Sequence, residues 1–143
     1  MRRALLDINV ILALFDAKHV HHGRARQWWR GNSGHGWATC PLTENGFLRI
    51  VSQKAYASPI PLPDALAYLR QVAKPPLHVF WPDDISLLDT AVIDHGRLLG
   101  PRQLTDSYLL ALAVKHGGRL VTLDRGISVT TARGGEAEHL VEL

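Results

Sequence analysis

The chain of 143 residues has one cysteine and no hydrophobic run long enough to span a membrane. The single Cys40 excludes an intrachain disulfide and a zinc site built from cysteines, which fits a protein of the reducing cytoplasm. The apolar run after Met1-Arg2-Arg3 is short and contains Asp7, so we expect neither a secretory signal nor a membrane span. Internal repeats and low-complexity segments are also absent.

The remaining composition is that of an ordinary globular protein. Apolar residues make up 46% of the chain and charged residues 20%, which excludes extensive disorder. The length is typical of one domain, and we expect residues 1–143 to form it. The formal net charge of +3 is compatible with a phosphate-bearing partner, although many proteins without one have a similar charge.

One acidic residue interrupts the apolar stretch "RRALLDINVIL" at residues 2–12. Burying an unpaired carboxylate among such residues costs several kcal/mol, so cores avoid it. The position of Asp7 at the end of an apolar strand therefore requires a specific explanation.

Apolar spacing predicts strands that alternate with helices along the chain. We expect strands over 3–8, 36–40, 77–81, 120–123 and 137–141, and helices over 10–15, 19–29, 41–51, 64–72, 85–95 and from Thr105 to about His116. No hairpin signal separates the strands, so the pattern indicates an α/β fold with a mostly parallel sheet covered on both faces.

Four acids are predicted to lie at one edge of this sheet. Asp7 and Asp124 end strands, and Glu44 lies in the turn after the second strand. Asp106 begins a helix of about 15 Å, and the strand that follows returns by about 17 Å, which brings Asp106 to the level of Asp124. The carboxyl ends of parallel strands share an edge where open α/β sheets bind ligands. These four carboxylates are therefore candidates for a single pocket.

A cluster of carboxylates needs a counter-charge, because close negative charges raise one another's pKa. Oxygen ligands without a neighbouring cysteine favour hard ions, so Mg²⁺ or Mn²⁺ is expected rather than zinc. One or two such ions can generate a hydroxide nucleophile and neutralise the leaving oxygen of a phosphodiester. Because this chemistry does not use the 2′-hydroxyl, the residues leave RNA and DNA open as substrates.

Four segments together resemble the PIN domain, and specifically the VapC-type ribonuclease toxins of bacterial toxin–antitoxin pairs. They are "LLDINVILAL", "TENGFLRI", "LTDSYLLALA" and "LVTLDRGI". The resemblance spans residues 4–127 with the motifs in the expected order. It implies a three-layer α/β/α sandwich with a central parallel sheet.

The resemblance also implies an activity, a metal site and partners. The activity is that of an endoribonuclease toxin that hydrolyses RNA phosphodiester bonds with metal-activated water. Asn9 and Thr122 match positions with supporting polar side chains. The expected partners are RNA, a VapB-type antitoxin and a second copy of the chain. The acidic quartet that the resemblance assigns to Mg²⁺ binding and catalysis, with Mn²⁺ able to substitute, is Asp7, Glu44, Asp106 and Asp124.

Two other functions fit parts of the pattern. Asp7 could be the nucleophile of a phosphotransferase with an aspartyl-phosphate intermediate, but that chemistry favours a second acid at the position of Asn9. A non-catalytic nucleic-acid-binding module is the third reading, and the four acids argue against it. Arg49, on the helix of Glu44, is a candidate substrate-binding residue, whereas His19, His21 and His22 are expected on a solvated surface.

Overall fold

The computed structural model describes residues 1–143 and contains a five-stranded, all-parallel sheet. The strand order is β3-β2-β1-β4-β5, so the first strand is central and its two neighbours come from distant parts of the sequence. Leu5 pairs with Ala38 on one side and with Leu120 on the other. The strands are Ala4–Leu6 (β1), Trp37–Thr39 (β2), His78–Phe80 (β3), Arg119–Thr122 (β4) and Leu140–Glu142 (β5).

Five α-helices connect and cover these strands, and none is long and apolar enough to cross a membrane. Short 3₁₀ turns complete the connections. The helices are Ile8–Phe15 (α1), His22–Asn32 (α2), Pro41–Val51 (α3), Leu62–Val72 (α4) and Leu104–Lys115 (α5).

The central strand buries side chains on both faces of the sheet. Leu5 belongs to a core cluster formed with α5, whereas Ala4 and Leu6 belong to a second cluster formed with α1, α3 and α4. A strand that is apolar on both faces is typical of a parallel sheet enclosed by helices. The predicted α/β/α sandwich is therefore confirmed.

Helices α1 and α3 approach each other closely near Gly46. A β-carbon at position 46 would overlap the side chain of Ile8, the first residue of α1. Gly46 thus permits close packing between the helix that begins after Asp7 and the helix that carries Glu44.

The helix predicted over 85–95 is wrong. Residues 85–94 form turns and irregular chain, with Ile93 in an isolated antiparallel bridge to Ala132, and a 3₁₀ turn follows at His95–Arg97. The Ser86 hydroxyl accepts a hydrogen bond from the Leu88 N–H, and the Asp89 carboxylate accepts one from the Ala91 N–H. These local bonds satisfy backbone donors in a non-helical conformation, which apolar spacing alone did not reveal.

Two other elements are displaced from their predicted limits. Helix α2 begins at His22 instead of His19, after a turn in which the His21 N–H donates to Nδ1 of His19. The last strand begins at Leu140, because Ala137–His139 forms a 3₁₀ turn.

Candidate active site

Three aspartates from distant segments meet at the carboxyl edge of the sheet. Asp7 follows β1, Asp124 lies two residues beyond β4, and Asp106 is in the first turn of α5. One carboxylate oxygen from each lies within 4.8 Å of the others. The convergence of these three residues predicted from strand and helix lengths is present in the structure.

Asp7 is buried, with only 4% of its surface exposed, and two short hydrogen bonds hold its carboxylate. Its Oδ1 accepts from the backbone N–H of Ile8 at 2.7 Å, and its Oδ2 accepts from Oγ1 of Thr122 at 2.7 Å. The Thr122 hydroxyl oxygen also accepts from the backbone N–H of Asp124 at 3.0 Å. One hydroxyl therefore connects the acid after β1 to the acid after β4.

Asn9 makes a second connection between these segments. Its Oδ1 accepts from the backbone N–H of Leu123 at 3.2 Å. This bond joins the first turn of α1 to the residue before Asp124. Asn9 and Thr122 thus both contact the backbone that carries Asp124.

Burial and neighbouring negative charge raise the pKa of two of the three carboxyl groups, Asp106 and Asp7. Burial, reinforced by the negative charges of Asp7 and Asp124, raises the pKa of Asp106 to about 6. Burial also raises the pKa of Asp7, against the opposing effect of its hydrogen bonds. None of the ion pairs in the protein includes these three residues. The cluster therefore lacks a counter-charge from the protein itself.

Glu44 is not part of this cluster. Its Oε2 accepts a hydrogen bond from Oγ1 of Thr39 at 2.7 Å, and the same hydroxyl lies 2.8 Å from Nε2 of His78. Because the Thr39 hydroxyl gives its one proton to the carboxylate, the imidazole must donate through Nε2. The carboxylate of Glu44 is therefore held beside the end of β2, on the side of β3.

A cavity of about 450 Å³ opens next to the aspartates. Asp106 and Asp124 form part of its wall, and Arg102 and Arg125 line it as well. Ile127 is its one hydrophobic lining residue. The space next to the acidic cluster is thus polar and contains both negative and positive groups.

Comparison with known proteins agrees with this fold. The family model of the PIN domain matches residues 4–132. Ribonuclease VapC44 of Mycobacterium tuberculosis is 50% identical over 141 residues, covering 99% of each chain. Ribonuclease VapC38 of the same organism is 45% identical over 125 residues, covering 87% of this chain and 86% of its own length. The chain belongs to the PIN-domain family. Within that family it is of the VapC type.

Some of the residues selected from the sequence lie elsewhere in this PIN domain. Arg49 is exposed on α3, on the helix of Glu44, and does not line the cavity beside the aspartates. The three neighbouring histidines form no metal-binding group with one another or with an acid. Sequence patterns also gave no reason to select Arg125 or Ser107, which line the cavity.

Proposed function

We propose that this VapC-type PIN domain is a metal-dependent endoribonuclease, the toxin of a VapBC-type toxin–antitoxin pair. The observation that carries the proposal is the convergence of Asp7, Asp106 and Asp124 within 4.8 Å at the carboxyl edge of the sheet. The names of the VapC relatives, which are ribonucleases, support RNA as the substrate.

The chemistry of the three side chains fits a hard divalent cation. All the donor atoms are carboxylate oxygens, which Mg²⁺ and Mn²⁺ prefer. The carboxylates of Asp106 and Asp124 accept no hydrogen bond from the protein, and no basic side chain pairs with them. A bound cation would supply the missing positive charge.

In this proposal Asp7, Asp106 and Asp124 hold the ion, and Thr122 orients Asp7. When bound, Mg²⁺ would promote attack of water on phosphorus and neutralise the oxygen released as the P–O bond breaks. Thr122 donates to one oxygen of the Asp7 carboxylate, and the backbone N–H of Ile8 donates to the other. The carboxylate is therefore held in position before an ion binds.

We include Glu44 in the proposed quartet as the acid that would complete a larger site. It lies in the first turn of α3, directly after β2, and so begins from the same edge of the sheet. Thr39 donates to its Oε2, whereas no hydrogen bond within the protein uses its Oε1, so Oε1 is the oxygen available to an ion. The number of ions bound, one or two, depends on this residue.

The proposal extends to partners. A VapB-type antitoxin would block the acidic pocket by inserting an arginine side chain. The planar donors of arginine match two carboxylate oxygens at once. A homodimer would be built from helices away from the catalytic edge.

The test is cleavage of labelled RNA and DNA of the same sequence in Mg²⁺, Mn²⁺ or EDTA. We expect cleavage of RNA in either ion, none in EDTA, and loss of most activity in Asp7→Asn and Asp106→Asn, which keep the shape of the side chain and remove its charge. A folded Asp7→Asn variant with full activity would contradict the metal-nuclease proposal. A radiolabelled phosphate retained on the protein would instead support the phosphotransferase alternative.

A further inference from the structure

We propose that the cavity beside the aspartates binds one nucleotide of the RNA next to the cleaved bond. In this assignment Arg102 and Arg125 contact its phosphates, and Ser107 forms a hydrogen bond with it. The inference rests on the proposed nuclease function, because it places the RNA strand at the acidic cluster.

The size and position of the cavity fit a nucleotide adjoining the reacting phosphate. Its volume of about 450 Å³ lies within the range of small-molecule pockets, about 300–1,000 Å³. Asp106 and Asp124 belong both to the cavity wall and to the cluster proposed to hold the ion. A nucleotide bound in this cavity would therefore lie next to a phosphate held at the acidic cluster.

The two arginines are available to an anionic ligand. Arg102 and Arg125 are exposed, and neither takes part in an ion pair. Nη2 of Arg125 donates to the backbone carbonyl of Leu143 at 3.2 Å, which holds the guanidinium in place and leaves its other donors free. A guanidinium can bind two phosphate oxygens at once, so two arginines that form no side-chain ion pair favour a phosphate-bearing ligand.

Ser107 provides an independent observation. Its side chain is only 1% exposed, it lines the cavity, and it has no hydrogen-bond partner within the protein. The other hydroxyls of the wall are used internally: Oγ1 of Thr131 donates to the carbonyl of Ser128 at 3.1 Å, and the Ser128 hydroxyl bonds that of Thr130 at 2.7 Å. Because Ser107 lines the cavity and its hydroxyl makes no bond of this kind, the hydroxyl is available to a ligand in the cavity.

The experiment measures RNA binding and cleavage separately. Binding of a fluorescein-labelled, unstructured 12-nucleotide RNA is followed by anisotropy in Ca²⁺ at several salt concentrations, and single-turnover cleavage is followed in Mg²⁺. We expect Arg102→Gln and Arg125→Gln each to weaken binding about tenfold, with the slope of log K against log[salt] reduced by about 0.7. Ser107→Ala should weaken binding about threefold without changing the salt slope. Cleavage at protein concentrations below the Kd should fall in parallel with binding.

Arg30→Gln is the matched control. Arg30 is exposed and unpaired near the end of α2, and the bond from Nη2 of Arg119 to Oδ1 of Asn32 places this end at the opposite edge of the sheet. Arg30→Gln lowers the net charge equally and should leave binding within about twofold of the parent. Equal weakening by Arg30→Gln and the two cavity variants would overturn the assignment.

The outcomes separate this inference from the proposed function. If the parent cleaves RNA but the cavity variants bind it as the parent does, the nucleotide site is wrong and the nuclease proposal stands. If the parent cleaves nothing while the cavity variants alone lose binding, the site is supported and the nuclease proposal is contradicted. Circular dichroism melts confirm that each exposed arginine variant is folded.

Discussion

The Thr122 hydroxyl lies 2.7 Å from Oδ2 of Asp7, joining residues that are 115 positions apart in the sequence. It also accepts the Asp124 backbone N–H. Thr122→Val keeps the shape of the side chain and removes both bonds. We expect a loss of about 1–3 kcal/mol in the free energy of unfolding in EDTA, because a buried carboxylate oxygen loses its donor. Urea unfolding measures it, and Thr122→Ser should retain most of the stability.

A second prediction concerns repulsion within the cluster. Asp106→Asn should raise the melting temperature in EDTA, by the equivalent of about 1 kcal/mol, because it removes one of three close negative charges. Mg²⁺ should stabilise the parent more than the variant if, as proposed, it binds the folded state through these carboxylates.

The control for this prediction is the exposed Glu136. Glu136→Gln removes one charge from an exposed residue outside the cluster and should change neither melting temperature by more than about 0.5 kcal/mol equivalent. A contrary result would be a lower melting temperature for Asp106→Asn in EDTA with the same stabilisation by Mg²⁺ as in the parent. Asp106 would then only stabilise the first turn of α5.

The carboxylate of Asp106 makes the free energy of unfolding depend on pH. The pKa of Asp106 is about 6 in the folded protein, against an ordinary value of 3.8, so between these limits the folded state binds more protons than the unfolded state. The contribution of Asp106 to stability is therefore most favourable below about pH 4 and is lost as the pH rises through 6. Urea unfolding in EDTA from pH 4 to 7 should show parent stability falling relative to Asp106→Asn. Parallel curves for the two proteins would contradict the raised pKa.

Glu44→Gln tests whether the fourth acid takes part in catalysis. We expect cleavage to fall about tenfold or more in Mg²⁺ with the fold intact, since one candidate ligand charge is lost. Glu142→Gln, at an exposed residue of β5, should cleave as the parent does. Unchanged activity in Glu44→Gln would reduce the catalytic site to the three aspartates.

Co-purification and light scattering test the proposed antitoxin and the proposed homodimer. Native expression with the neighbouring coding region should co-purify a small antitoxin, and light scattering at micromolar concentration should report a dimer of the chain. Purification of a chain that is monomeric and has no small partner would contradict both.

The sequence predicted the parallel sheet and the convergence of Asp7, Asp106 and Asp124, for a physical reason. Strand ends and the rise per residue of helix and strand determine the level of Asp7, Asp106 and Asp124, so their convergence follows from local patterns. The direction of the Glu44 carboxylate depends on Thr39, whose second contact, His78, lies 39 positions further along the chain. The cavity depends likewise on a loop folding back towards α5. Spacing carries no information about such long-range side-chain contacts.

Gly46 lies where the packing of two helices adjoins the acidic cluster. A β-carbon at position 46 would meet the end of the Ile8 side chain, and Ile8 directly follows Asp7. A new rotamer of Ile8 would relieve this overlap and leave Asp7 in place, whereas separation of α1 from α3 would move the residue next to Asp7. A substitution at position 46 therefore affects the Asp7 carboxylate only where Ile8 has no other rotamer that fits.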